Sequence, residues 1–206
     1  MAGLKPMIDV KKIVDLQCET VDRWHSEPID NPYEGFMSDV CKQHSFNFQL
    51  WHEEDIARSP DADDAVIARV KRAIDGFNQQ RNDWIENVDD HLARMIEERK
   101  VKVDEVARIN TETPGSVIDR LSILALRIYH LKEQLERTNV DEDHIEKVRH
   151  RIAVCLFQQD ELSQELGLLL ADMFAGRVRH RTYRQLKMYN DSTLNPYLYD
   201  RQQEIA

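Results

Sequence analysis

The chain has 206 residues, enough for one domain with a real core. Its 28 basic and 38 acidic residues leave a net charge of −10, which excludes non-specific binding to nucleic acid or to an anionic membrane as the main role. With 32% charged and 41% hydrophobic residues, only six glycines and six prolines, and little β-branched alternation, it reads as a soluble, nearly all-helical globular chain rather than a disordered one.

The opening MAGLKPMIDVKK lacks an apolar core of signal-peptide length. The first expected helix runs from about Met7 to His25, with Ile13, Val14, Val21 and Trp24 inside, and ends before Glu27-Pro28. After a loop at Asn31-Pro32 to Gly35 comes the stretch that organises the chain, QHSFNFQLWHEEDIAR from Gln43 to Arg58. At about 100° per residue, His44, Asn47, Trp51, Asp55 and Arg58 fall on one stripe, with Phe48 at its edge and His52 and Glu54 on either flank. An ordinary amphipathic helix turns Leu, Ile or Val inward. An inward polar stripe must be paired, since a buried unpaired group costs roughly 1–3 kcal/mol. Asp55 and Arg58, three apart, are positioned to pair with each other.

The next helix spans about Asp63 to Arg99, behind an acidic start that suits its dipole. Ile67, Val70, Ile74, Phe77, Ile85, Val88 and Leu92 form its inner stripe, and Arg81 falls within it, a place that calls for a carboxylate. Lys71, Asp75, Asn78, Asn82 and Asp89 line one edge, and Gly76 points to close approach by another helix or a ligand. In the turn NTETPGS (Asn110 to Ser116), either Ser116 with Asp119 at N3, or Thr113 with Pro114 at the first helical position, can start the following helix. Asp119, Arg120 and Ser122 crowd a first turn that could hold an anion, although a capping box is the plainer role for Asp119. Leu121, Leu124, Ile128, Leu131 and Leu135 form the seam of that helix.

Asn139-Val140-Asp141 begins the last long helix. Its Ile145–Met173 seam, broken at Gln159 and closed by Gly176, suits bundle packing and leaves room for a homodimer. Arg177, Arg179, His180, Arg181, Arg184 and Lys187 then form a basic run, expected to pair with acidic groups of the same chain. Residues 1–190 are expected to form a single helical-bundle domain and 191–206 a tail that docks through Tyr197 and Tyr199. The apolar run Leu166–Gly176 is too short to span a bilayer, and three scattered cysteines without a CxxC suggest reduced thiols in a cytoplasm.

The chain carries no Walker lysine loop, GxGxxG, GxSxG or HExxH. Three segments together, NFQLWHEEDIAR (Asn47–Arg58), VKRAIDGFNQQRND (Val70–Asp83) and TPGSVIDRLSIL (Thr113–Leu124), resemble an uncharacterised bacterial domain-of-unknown-function family of about this length. The resemblance covers Asp22 to Leu131 and implies an all-helical bacterial protein without an established activity. The TPGSVIDRLSIL turn is also similar to one in bacterial proteins encoded near glycosyltransferases.

Taken together, the residues suggest an all-α bundle of about five to six helices with a polar interhelical pocket for a small polar or anionic ligand. Its ligand contacts would come from Asn47, Trp51, Arg58, Lys71, Asp75, Asn78, Asn82, Asp119, Arg120 and Ser122. For any acid–base step the candidates are His44, His52 and Asp55, the two imidazoles having near-neutral reference pKa values. Whether a cofactor is used is left open by the residues. Asp22-x-x-His25 and His52-x-x-Asp55 have i, i+3 ligand spacing, so a metal-dependent bundle enzyme is an alternative, but the repeated Glu-x-x-His of di-iron bundles is missing and no metal set is assigned. A second alternative is an interaction module whose polar stripe is purely structural.

Overall fold

A computed structural model of the chain describes residues 8–188 and 191–199. Among the described residues are six helices: α1 (Val10–Trp24), α2 (Gly35–Ala57), α3 (Asp64–Glu98), α4 (Pro114–Leu135), α5 (Glu142–Phe174) and the short α6 (Pro196–Tyr199). The only strands among the described residues are the two-residue segments β1 (Arg108–Ile109) and β2 (Val178–Arg179), paired in parallel, so the all-α expectation holds. Met7, taken as the start of the first helix, and tail residues 200–206 lie outside the described residues. No helix among those described is long and apolar enough to cross a membrane.

The helix boundaries follow from local chemistry. Asp9, Asp63, Thr113 and Asp141 each place a side-chain oxygen on an otherwise free N–H of the first turn of α1, α3, α4 and α5. Thr113 caps α4 with Pro114 at N1, so Asp119 is not a capping-box residue. Gly176 ends α5 with φ +76°, and a Cβ there would stand 2.1 Å from the Lys102 carbonyl oxygen.

α2 and α3 fold back on each other. Leu50 packs with Val70 and Ile74 near the connecting turn, while Asp39 near the start of α2 meets His91 late in α3 at 2.7 Å. α4 and α5 pair next, through Leu124, Ile128 and Cys155, so the α5 seam is used within the chain. α1 lies across α4, where Gln17 Nε2 donates to the Ile118 carbonyl at 3.0 Å. Ile13, Leu16, Val40, Leu92, Ile118, Leu121 and Leu166 fill the shared core from all five long helices.

Three expectations change here. Gly76 has nothing within 4 Å of the place a Cβ would take, so it marks no close approach; that role belongs to Gly115, where an added Cβ would stand 2.6 Å from the Ile85 carbonyl oxygen. Ile67 is exposed because the first turns of α3 run beyond the core. The last short helix buries no residue, and Tyr197 and Tyr199 are exposed rather than docked. The basic run does pair internally: it lies along α3, with Arg184 on Glu86 (3.0 Å) and Asp90 (2.9 Å) and His180 on the Asp89 carbonyl (2.8 Å), while Arg177 meets Asp172 at 2.7 Å.

Candidate functional site

α2 touches α1, α3 and α4, and its buried turns are correspondingly polar. Gln43 and Asn47, one turn apart, both point at Asp119 of α4: Gln43 Nε2 donates to Oδ1 at 2.6 Å and Asn47 Nδ2 at 2.9 Å. Arg81 of α3 completes the cluster as a two-point pair, Nε to Oδ1 at 2.8 Å and Nη2 to Oδ2 at 2.5 Å. Asp119 is only 4% exposed, so each of these donors offsets the cost of removing a carboxylate from water. The hydrogen bond to Asp119 also raises the Arg81 pKa against the lowering effect of burial, which keeps the guanidinium charged.

One turn further along α4, Ser122 Oγ accepts from Asn47 Nδ2 at 2.8 Å and lies 2.6 Å from His44 Nδ1. The His44 ring is fully buried and stacks on Trp24 at 5.3 Å; its Nε2 has no hydrogen bond of normal geometry and faces the Gln17 backbone. Burial pushes this imidazole down to about 3, the Gln17 backbone opposing the shift only in part. Burial thus disfavours the charged form of the His44 imidazole relative to a free one.

Above this network lies a cleft of about 390 Å³ between α2, α3 and α4. Its polar wall is made by Asn47, Glu54, Asp55, Arg58, Asn78 and Arg81, and its apolar wall by Leu50, Trp51, Ile123 and Leu126. Arg58 pairs with Glu54 at 2.9 Å rather than with Asp55, because the i, i+4 spacing aligns them on the exposed last turn of α2. Asp119 uses two of the three guanidinium nitrogens of Arg81; the third, Nη1, makes no hydrogen bond among the described residues.

The expected site residues thus divide. Asn47, Trp51, Asp55, Arg58 and Asn78 line the cleft, and Asp119 and Ser122 stand behind it in the buried network. Lys71 and Asp75 form an exposed pair of their own at 3.0 Å, and Asn82 is half-buried outside the cleft lining. Arg120 is held by Glu112 at 3.0 Å and faces a different, larger cleft of about 750 Å³ between α4 and α5, walled largely by exposed side chains such as Gln158, Glu161 and Glu165. The start of α4 holds the protein's own carboxylate, since Gly115 N–H donates to Asp89 Oδ1 at 2.8 Å. Burial raises the pKa of that Asp89 carboxyl, with Thr113 and the Gly115 N–H pulling it back. Gln43, Glu54 and Arg81 belong to the site but were not among its expected members. Arg81 carried a signal, its charge within an apolar stripe; Gln43 and Glu54 carried none beyond their place in the organising stretch.

His52 lies elsewhere. It meets His25 and His130, and one ring nitrogen from each of the three lies within 4.8 Å of the others. Asp22 and Asp55, the i, i+3 neighbours noted in the sequence, are not part of that group.

The family model described as "Protein of unknown function (DUF4254)" matches residues 38–182, well over half of the chain. The chain belongs to this family, whose description assigns no activity. The matched span includes α2 from its first turns, all of α3, α4 and α5, and every residue of the cleft. Searches of curated proteins and of solved structures find no match.

Proposed function

We propose that the chain binds a small polar molecule, neutral or zwitterionic, in the cleft between α2, α3 and α4. The observation that carries this reading is the setting of Arg81. A cation in the cleft wall is locked by a buried carboxylate, which is itself held by two amides from another helix. Such a group is preorganised, so a ligand meets it without the entropy cost of ordering a free surface arginine. Asn47 and Asn78 add donors and acceptors, Asp55 adds an acceptor, and Trp51 adds a flat apolar wall.

The charges select within the polar class. Arg58 and Arg81 face Glu54 and Asp55 in the wall, and Asp119 stands directly behind Arg81. A strong anion would have to compete with carboxylates already in place. A ligand offering both donors and acceptors would not, and this narrows the anionic expectation. Binding rather than turnover is proposed, since neither His44 nor His52 lines the cleft. Cysteines 18, 41 and 155 are not paired with one another, and a reducing, cytoplasmic setting is proposed on that ground.

A ligand-observed NMR screen of neutral, zwitterionic and anionic polar fragments tests the reading. Neutral and zwitterionic hits should outnumber anionic ones, and the double replacement Arg58→Ala with Asn78→Ala should weaken them about tenfold or more at an unchanged melting temperature. Hits that bind the double variant as well as the wild type would place the ligand elsewhere and overturn the assignment.

A further inference from the structure

The histidine group lies where three helices converge: His25 caps the C-terminus of α1, His52 lies in the second half of α2, and His130 in the second half of α4. Each ring has one nitrogen already committed. His25 Nδ1 lies 2.6 Å from the Val21 carbonyl oxygen, His52 Nδ1 lies 2.8 Å from the Phe48 carbonyl oxygen, and His130 Nδ1 lies 2.6 Å from Glu133 Oε2. Carbonyl and carboxylate oxygens accept, so in neutral rings the Nδ1 atoms carry the protons and the Nε2 atoms present lone pairs. This is the outer-shell pattern that fixes tautomer and orientation in metal-ligating histidines.

Among the described residues no hydrogen-bond partner explains the other nitrogens. Nε2 of His25 and Nε2 of His130 are buried without a hydrogen bond among the described residues. Aromatic rings wall them in: Tyr129 stacks on His25 at 4.1 Å, Trp51 stacks on His130 at 5.0 Å and an interplanar angle of 6°, and Phe48 lies 4.4 Å from His52. A plain apolar cluster would be better built from Phe or Leu, which bury no unsatisfied nitrogen.

We propose that His25, His52 and His130 bind one divalent transition-metal ion of the zinc type through their Nε2 atoms, leaving the fourth position to water or a small ligand. Three neutral imidazoles suit zinc, cobalt and nickel rather than magnesium or calcium, which require oxygen. Ring nitrogens on a tetrahedral zinc stand about 3.3 Å apart, given bonds of about 2.0–2.1 Å. One nitrogen of each ring already lies within 4.8 Å of the others, and small ring rotations would bring the Nε2 atoms to the ligating spacing. Trp51 backs His130 and also walls the ligand cleft, so the two sites adjoin across one indole but share no ligating atom.

The test is metal uptake by the full chain, stripped with a chelator and dialysed against zinc or cobalt. The expected result is one zinc per chain and, with cobalt, the visible absorption bands of a four- or five-coordinate nitrogen site. His52→Ala should abolish both. Should that variant unfold, Glu133→Gln serves instead: its side chain is about half exposed, at 47%, and loss of its support for His130 should weaken the metal about tenfold. Arg58→Ala with Asn78→Ala should leave uptake unchanged, which separates failure of this site from failure of the cleft. Binding of zinc at less than one per chain under saturating metal, or equal binding by wild type, His52→Ala and Glu133→Gln, would overturn the proposal.

Discussion

Replacing His44 by glutamine should remove a defined part of the protein's acid sensitivity. In the folded chain burial holds this imidazole at about 3, against an ordinary value of 6.5. A depressed folded value means that the unfolded chain takes up the proton first, so this stabilising contribution is complete above about pH 6.5 and is lost as the pH falls towards 3. At about 1.36 kcal/mol per pKa unit, the loss at pH 5 relative to pH 7.5 is about 2 kcal/mol, and the full span approaches about 5 kcal/mol. Urea unfolding of the wild type and of His44→Gln at both pH values measures it. Glutamine keeps a polar atom for Ser122 but has no proton to gain in this range. His25, also lowered by burial, acts in the same direction in both proteins and cancels from the comparison. The wild type should lose about 2 kcal/mol more than the variant between pH 7.5 and pH 5. Parallel losses would show that His44 is not the neutral, desolvated group described, and would remove the basis for treating the α2–α4 network as dry.

Asp119→Asn should cost about 2–4 kcal/mol in urea unfolding, because it leaves the Arg81 guanidinium partly buried without a counter-charge; unchanged stability would mean that this pair does not support the cleft. Two glycines in opposite settings make a paired check by thermal melting. Gly176→Ala should destabilise by more than about 2 kcal/mol, since it combines φ +76° with a Cβ 2.1 Å from the Lys102 oxygen, whereas Gly76→Ala, with open space around it, should stabilise by about 0.5–1 kcal/mol.

The legible features were those decided within a few residues. Asp63 caps α3 and Asp141 caps α5 where their side chains precede apolar periodicity; the stripe shared by His44, Asn47 and Trp51 was legible, but only the fold turns His44 and Asn47 inward. At its far end the stripe still lines the cleft, but Asp55 and Arg58 are exposed there and Arg58 pairs with Glu54 rather than with Asp55. At the start of α4 two capping registers fitted the same letters. Thr113 prevails because Pro114 fits N1 and Asp89, from another helix, accepts from Gly115. The partner of Arg81 was out of reach for a different reason: the need for a carboxylate is local, but which carboxylate answers it depends on how α3 and α4 cross. The same holds for His130, an ordinary letter on α4 until α1 and α2 bring two more imidazoles to it.

α2 explains why one helix carries both sites. α1, whose main neighbour is α4, buries Ile13, Leu16, Val21 and Trp24 along one inner side. α2 is packed by α1, α3 and α4 at once, so it has several buried edges and no simple periodicity. Asn47, Trp51 and Asp55 face the cleft with α3 and α4, while Phe48 and His52, one residue on in each turn, face the end of α1. Trp51 separates the two edges and touches both, through the cleft on one side and His130 on the other. A metal on the histidines would clamp α1, α2 and α4 together and hold that indole by its stacked neighbour. Saturation at about a hundred times the dissociation constant adds about 2.7 kcal/mol to stability by mass action alone. A ligand pressed against the indole in the cleft would then meet a wall already fixed. The two proposed sites are physically separable, and the rigidity of α2 is what connects them.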